Sequence, residues 1–223
     1  MTDNVTSWVN ETQREIGGSR RLADGEGRSV VMRRNYDAPI EDVWEACTDP
    51  ERLGRWFLPV TGDLRPGGTY QLKGNAGGEI LRCEKPRLLA VSWVYGDAPA
   101  GEVELRLSPS GEGKTVFELE HAGVIEGMTV ADHALAVGPG WDPALVSLGM
   151  FLRGEVIEDP VAWMNSPEVR EFNRRSVHAW AEAVEAAGAS TRGEVAAAVE
   201  ASLAQLAHYY SEVDADQSED KTR

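Results

Sequence analysis

The spacing of apolar residues changes character along the chain, and those changes divide it. Over residues 29–36, Val30, Met32, Arg34 and Tyr36 alternate with Val31, Arg33 and Asn35, which predicts a strand with one covered face. Ala38-Pro39 opens a helix with Ile40, Val43, Trp44 and Cys47 on one side. Asp49-Pro50 then ends it and starts another, with Asp as N-cap and Pro in the first turn. Leu53, Trp56 and Phe57 form its buried side. From about residue 60 to 122 the period falls to two. Tyr70 and Leu72, residues 79–84 and 88–95, then Val103, Leu105 and Leu107, and finally residues 115–121 read as strands. Pro66-Gly67-Gly68, residues 75–78 and residues 110–113 supply the turns. Frequent turns and one polar face per strand predict an antiparallel meander.

A heavy apolar stripe follows at Trp141, Leu145, Leu148, Phe151 and Leu152. It predicts a helix with Pro143 in its first turn and Gly154 as its stop, lying on the sheet. Residues 123–140 read as an apolar loop, a flap over the mouth of a cavity between sheet and helix. After Asp159-Pro160 strand patterns cease. Two further stripes, over residues 169–187 and 195–210, predict an α-helical extension. Residues 1–28 read as an N-terminal arm, residues 29–154 as the main domain, residues 155–213 as the extension, and residues 214–223 as a disordered acidic tail.

Composition narrows the function classes. The net charge of −15 and pI near 4.7 disfavour nucleic-acid partners and anionic membranes. Cys47 and Cys83 lack CxxC spacing, so neither a disulfide framework nor a zinc site is expected. No apolar run reads as a membrane span and the N-terminus has no signal-peptide core, which together predict a cytoplasmic protein without membrane insertion. No Walker or dinucleotide glycine motif is present, and no cofactor is expected.

Ordered motifs carry a resemblance. Residues 34–44, Asp49-Pro50-Glu51-Arg52-Leu53 with Trp56, and Arg65-Pro66-Gly67-Gly68 come first. Pro86-Arg87-Leu88 with Trp93, residues 119–123, and Gly140-Trp141 with Leu145, Leu148 and Leu152 follow. This succession, covering roughly residues 29–154, resembles the SRPBCC or START-like superfamily. It is most similar to the branch of the C-terminal domain of the activator of heat-shock protein 90 ATPase. The resemblance implies an α+β helix-grip fold, a curved antiparallel sheet wrapped on a long helix. It also implies binding of lipids, polyketides, hormones or proteins, or catalysis, in different members.

Strand parity places candidate chemistry on the inner face. His121 shares parity with Phe117 and Leu119, and Trp93 with Leu89, Val91 and Tyr95. Tyr70, Trp93, Tyr95, Phe117, His121, Trp141, Leu145 and Leu148 are the residues expected to line a ligand cavity. A rigid aromatic wall with few polar groups suits a small apolar molecule. His133, His178 and His208 have no ligand spacing, so no metal site is expected. Glu102, Glu104, Glu118 and Glu120 fall on the outer face as solvated strand residues. The expected function is non-catalytic binding of a small hydrophobic ligand. The alternatives are a protein-binding module like the chaperone activator, and a cyclase or hydrolase on the same scaffold using His121. A homodimer through the C-terminal helices fits the same pattern.

Overall fold

The computed structural model describes residues 2–220. Eight antiparallel strands form one sheet. They are β1 (Gln13–Leu22), β2 (Gly25–Tyr36), β3 (Val60–Gly62), β4 (Thr69–Leu72), β5 (Gly77–Glu84), β6 (Leu88–Trp93), β7 (Gly101–Pro109) and β8 (Thr115–Val124). Their order is β1-β2-β8-β7-β6-β5-β4-β3. Two helices, α2 (Ile40–Thr48) and α3 (Pro50–Leu53), separate β2 from β3, and α1 (Thr2–Asn10) precedes β1. Asp49 caps α3 by accepting from the backbone N–H groups of Glu51 and Arg52. The predicted helix-grip fold is present.

Register fixes the two faces of the sheet. Val30 pairs with His121, Met32 with Leu119 and Arg34 with Phe117. On the other side of β8, His121 opposes Val103 and Leu119 opposes Leu105. These side chains share the covered face. The opposite face carries a ladder of ion pairs: Arg20 with Glu102 at 2.9 Å, and Arg106 with Glu104 at 2.6 Å and Glu118 at 2.7 Å. Glu104 is therefore not solvated as its parity suggests. Arg20 and Arg106 cover it, and the residue is 6% exposed.

Residues 1–28 are not an arm. β1 lies within them and pairs with β2 along the edge of the same sheet. The register shifts between Ile16 and Ser19, which breaks the alternation that would have announced a strand. Gly17 permits the close approach there, because a Cβ would stand 2.0 Å from the Ser29 hydroxyl oxygen.

The helix over the sheet is longer than its stripe predicts. α4 runs Val130–Leu152 and absorbs most of the expected flap. Thr129 and Asp132 close a capping box at its start. Pro139 and Pro143 sit inside it rather than at its first turn. Pro139 has no N–H for the Leu135 carbonyl, and the Ser202 hydroxyl donates to that oxygen at 2.9 Å instead. Thus extended, α4 is long and apolar enough to cross a membrane, and among the described residues no other helix is. Here that apolarity is buried against the sheet and the C-terminal helices.

Those helices are α5 (Pro160–Met164), α6 (Pro167–Ala187) and α7 (Arg192–Asp220). Val177, Trp180 and Val184 of α6 and Val195 and Ala198 of α7 join the core that holds the sheet and α4. Gly138 allows α6 this close, since a Cβ there would lie 2.2 Å from the Trp180 ring. The stripes of the extension are thus buried within the chain. α7 also continues through residues 214–220, where a disordered tail was expected. The Arg170 guanidinium donates to both Asp214 carboxylate oxygens, at 2.8 and 2.6 Å, and sits 4.5 Å over the Tyr210 ring. The last three residues of that expected tail lie outside the described residues.

Candidate functional site

A cavity of about 560 Å³ opens between the sheet and the N-terminal half of α4. The end of β6 and the turn after it contribute Trp93, Tyr95, Ala98 and Pro99, and β8 contributes His121, Gly123 and Val124. Met128 and the α4 residues His133, Ala136, Val137, Gly140 and Trp141 form the opposite wall, with Phe57, Asn75 and Gly101 completing the lining. No Asp, Glu, Lys or Arg side chain lines it, and no Ser, Thr or Cys. Nor do three or more His, Cys, Asp or Glu side chains gather as a metal site anywhere among the described residues.

Aromatic rings form the floor. Phe57 stacks on Trp141 with centroids 5.8 Å apart, and the Trp93 ring lies 5.0 Å from Trp141, tilted by 51°. Beyond them is a second, inner cavity of about 190 Å³, bounded by the sheet, the α2–α3 segment and Trp141. Phe57, Trp93 and Trp141 belong to both linings, so these three rings divide the two spaces. The inner cavity is walled by aliphatic and aromatic side chains together with Cys47, Cys83, Thr48 and Arg65. Burial pushes the Cys47 thiol up to about 12, so it stays protonated.

Two histidines supply the polar chemistry of the outer cavity. The Trp141 indole N–H donates to Nδ1 of His121 at 2.9 Å. An imidazole nitrogen that accepts carries no proton, so the neutral ring holds its proton on Nε2. Burial, and to a lesser degree the neighbouring His133, lowers the His121 pKa to about 3. The ring is accordingly neutral at ordinary pH. His133 stands with its ring centroid 6.3 Å from that of His121. Its pKa is lowered by burial, an effect opposed by backbone groups of His121 and Arg28. Its Nε2 is buried without a hydrogen-bond partner. Gly123 makes room for this ring, because a Cβ there would fall 2.5 Å from His133 Cε1.

The sequence-predicted residues separate into three groups. Trp93, Tyr95, His121 and Trp141 line the outer cavity. Tyr70 and Phe117 line the inner one, and the Tyr70 hydroxyl donates to the Ser92 carbonyl at 2.8 Å rather than standing free at a rim. Leu145 and Leu148 line neither; they are 1% and 0% exposed in the core. The expected orientation fails for those two because α4 is anchored through its C-terminal half. Phe57, Met128, His133, Val137 and Gly140 were missed. The capping-box pair Thr129 and Asp132, which starts α4 early, is the signal that would have put the last three on its inner face.

The family model described as activator of Hsp90 ATPase homolog 1-like protein matches residues 37–152. The chain belongs to this family. It is also similar to CalU16 from Micromonospora echinospora. Against the crystal structure of that protein the identity is 46%, covering 78% of this chain and 98% of CalU16 with a TM-score of 0.66. Its solution structure gives the same identity and a TM-score of 0.69. A share of 78% exceeds everything up to Leu152, so the match with CalU16 reaches into the C-terminal helices. A protein from Mesorhizobium loti shares the fold at 22% identity, covering 57% of this chain and 98% of its own, with a TM-score of 0.50. No curated protein matches the sequence.

Proposed function

We propose that this family member binds a small apolar molecule in the cavity between its sheet and the first half of α4. The observation that carries the reading is the space itself: about 560 Å³, floored by Phe57, Trp93 and Trp141 and lined by no charged side chain. A fold that needed only a packed core would fill it. Instead α4 presents Gly140 there, and a Cβ at Gly140 would meet no atom within 4 Å. A three-ring aromatic molecule that buried roughly 300 Å² of apolar surface would gain on the order of 7 kcal/mol before the entropic costs of binding. Because Tyr95 is 57% exposed and lines the same cavity, the entrance lies beside it.

The test uses the neutral fluorescent probe N-phenyl-1-naphthylamine with wild-type protein and Gly140→Leu. Leucine at 140 fills the cavity and removes a helix-interior glycine, which is worth about 0.5–1 kcal/mol of stability. The expected result is saturable one-site binding to the wild type, with quenching of tryptophan emission. Gly140→Leu is expected to bind at least tenfold more weakly while melting no lower. Equal binding by both proteins would put the probe elsewhere. No binding to either, together with stimulation of the heat-shock protein 90 ATPase, would replace this reading with the activator role that the family description names.

A further inference from the structure

We infer that the ligand is a neutral, flat, largely apolar molecule with a carbonyl oxygen, which accepts a hydrogen bond from His121 Nε2. This deepens the reading of the outer cavity as a ligand site and rests on it.

Trp141 donates to Nδ1, so His121 keeps its proton on Nε2. Among the described residues no group accepts from that Nε2–H, and the ring, 8% exposed, lines the cavity, so the N–H meets the open space. A wholly apolar ligand would strip water from this donor and leave it unpaired, which costs free energy. An acceptor on the bound molecule avoids that cost. Three features narrow its chemistry. The ring remains neutral, so it offers a donor and not a positive charge. The cavity lining holds no Lys or Arg, and an ionised carboxylate or phosphate brought there would lose its hydration without compensation. Finally, Trp141 uses its N–H on His121, and its ring joins Phe57 and Trp93 in a rigid aromatic lining, which suits a planar partner more than a branched aliphatic one. Trp141 is therefore both a wall and the positioning residue for the donor.

Three molecules of one shape separate the possibilities: fluorene, 9-fluorenone and 9-fluorenone-4-carboxylate. Affinities for the wild type are measured by tryptophan quenching, and the carbonyl stretch of bound fluorenone by infrared difference spectroscopy. The expected order is fluorenone about fivefold tighter than fluorene, the equivalent of one net hydrogen bond, with the carboxylate at least tenfold weaker than fluorenone. The carbonyl band moves to lower wavenumber on binding. In His121→Phe, the fluorenone-to-fluorene preference falls toward one and the band shift disappears. Trp141→Phe, which frees the imidazole to carry its proton on Nδ1, reduces both. Equal binding of fluorene and fluorenone to the wild type with an unshifted band would overturn the inference and leave the cavity reading standing. A preference that survives in folded His121→Phe would overturn it as well. If none of the three binds, both fall. The infrared measurement on the wild type decides the matter even where a variant fails to fold.

Discussion

Residues 130–141 and residues 142–152 of α4 belong to one helix but meet different surroundings. In the first half His133, Val137, Gly140 and Trp141 face open space. In the second, Leu145, Val146 and Leu148 are at most 1% exposed. The second half is also where polar anchors concentrate. The Asp142 carboxylate oxygen Oδ2 accepts from Arg14 Nε at 2.9 Å, from Trp180 Nε1 at 3.2 Å and from the Ser176 hydroxyl. The Tyr36 hydroxyl donates to the Leu145 carbonyl and the Ser147 hydroxyl to the Trp56 carbonyl, each at 2.7 Å. β1, β2, the segment after α3, and α6 are thereby tied to one short stretch of helix. The lesson is mechanical: a helix tied to the sheet through its second half, and to α6 and α7 through Gly138 and Leu135 in its first, can leave a cavity between that first half and the sheet.

The most damaging way to break this contrast is Asp142→Ala. It strands the buried Arg14 guanidinium, and losing one partner of such a pair costs about 3–5 kcal/mol. Urea denaturation should show that loss, and a change under 1 kcal/mol would mean the anchor is dispensable. Leu148→Ala tests packing alone and should cost about 3 kcal/mol. Because Leu148 lies outside both cavities, N-phenyl-1-naphthylamine should bind the folded variant as it binds the wild type. A large affinity loss would show that the two halves are coupled.

A smaller effect, per pH unit, comes from the cavity side. His121 ionises near 6.5 when unfolded but only at about 3 in the fold. Between those values the unfolded chain binds the extra proton. The contribution of His121 to stability is therefore full above about pH 6.5 and lost as pH falls toward 3, with a slope approaching 1.4 kcal/mol per unit. The lowered His133 acts in the same direction. Denaturation curves at pH 6, 5 and 4 should be visibly less pH-dependent for His121→Phe. Unchanged slopes would assign the acid sensitivity to other groups.

Much of the scaffold was legible because its strands alternate cleanly. The inner parity of Phe117, Leu119 and His121 predicts the face that the register confirms. β1 was illegible because its bulge at Gly17-Gly18 resets the alternation midway. The start of α4 was misread because Pro143 looks like a first-turn residue. Within the helix Pro139 also removes a hydrogen bond, and that loss is offset by a partner 67 residues from Leu135, the Ser202 hydroxyl on its carbonyl. The same misreading displaced one wall of the site, assigning Leu145 and Leu148 to the cavity and a flap to the α4 residues that line it, while Trp93, Tyr95, His121 and Trp141 are in its lining as expected.

By itself, the sequence determined the class of fold, the covered face of the cleanly alternating strands and the aromatic character of the interior. Those depend on local period and residue type, which the chain carries at every position. Only the tertiary structure decided which half of α4 borders the cavity. That depends on Arg14, Ser176 and Trp180 converging on Asp142, contacts between residues far apart in the chain that no local pattern encodes. The pairing of Trp141 with His121, and with it the Nε2–H donor at the cavity, was settled in the same way.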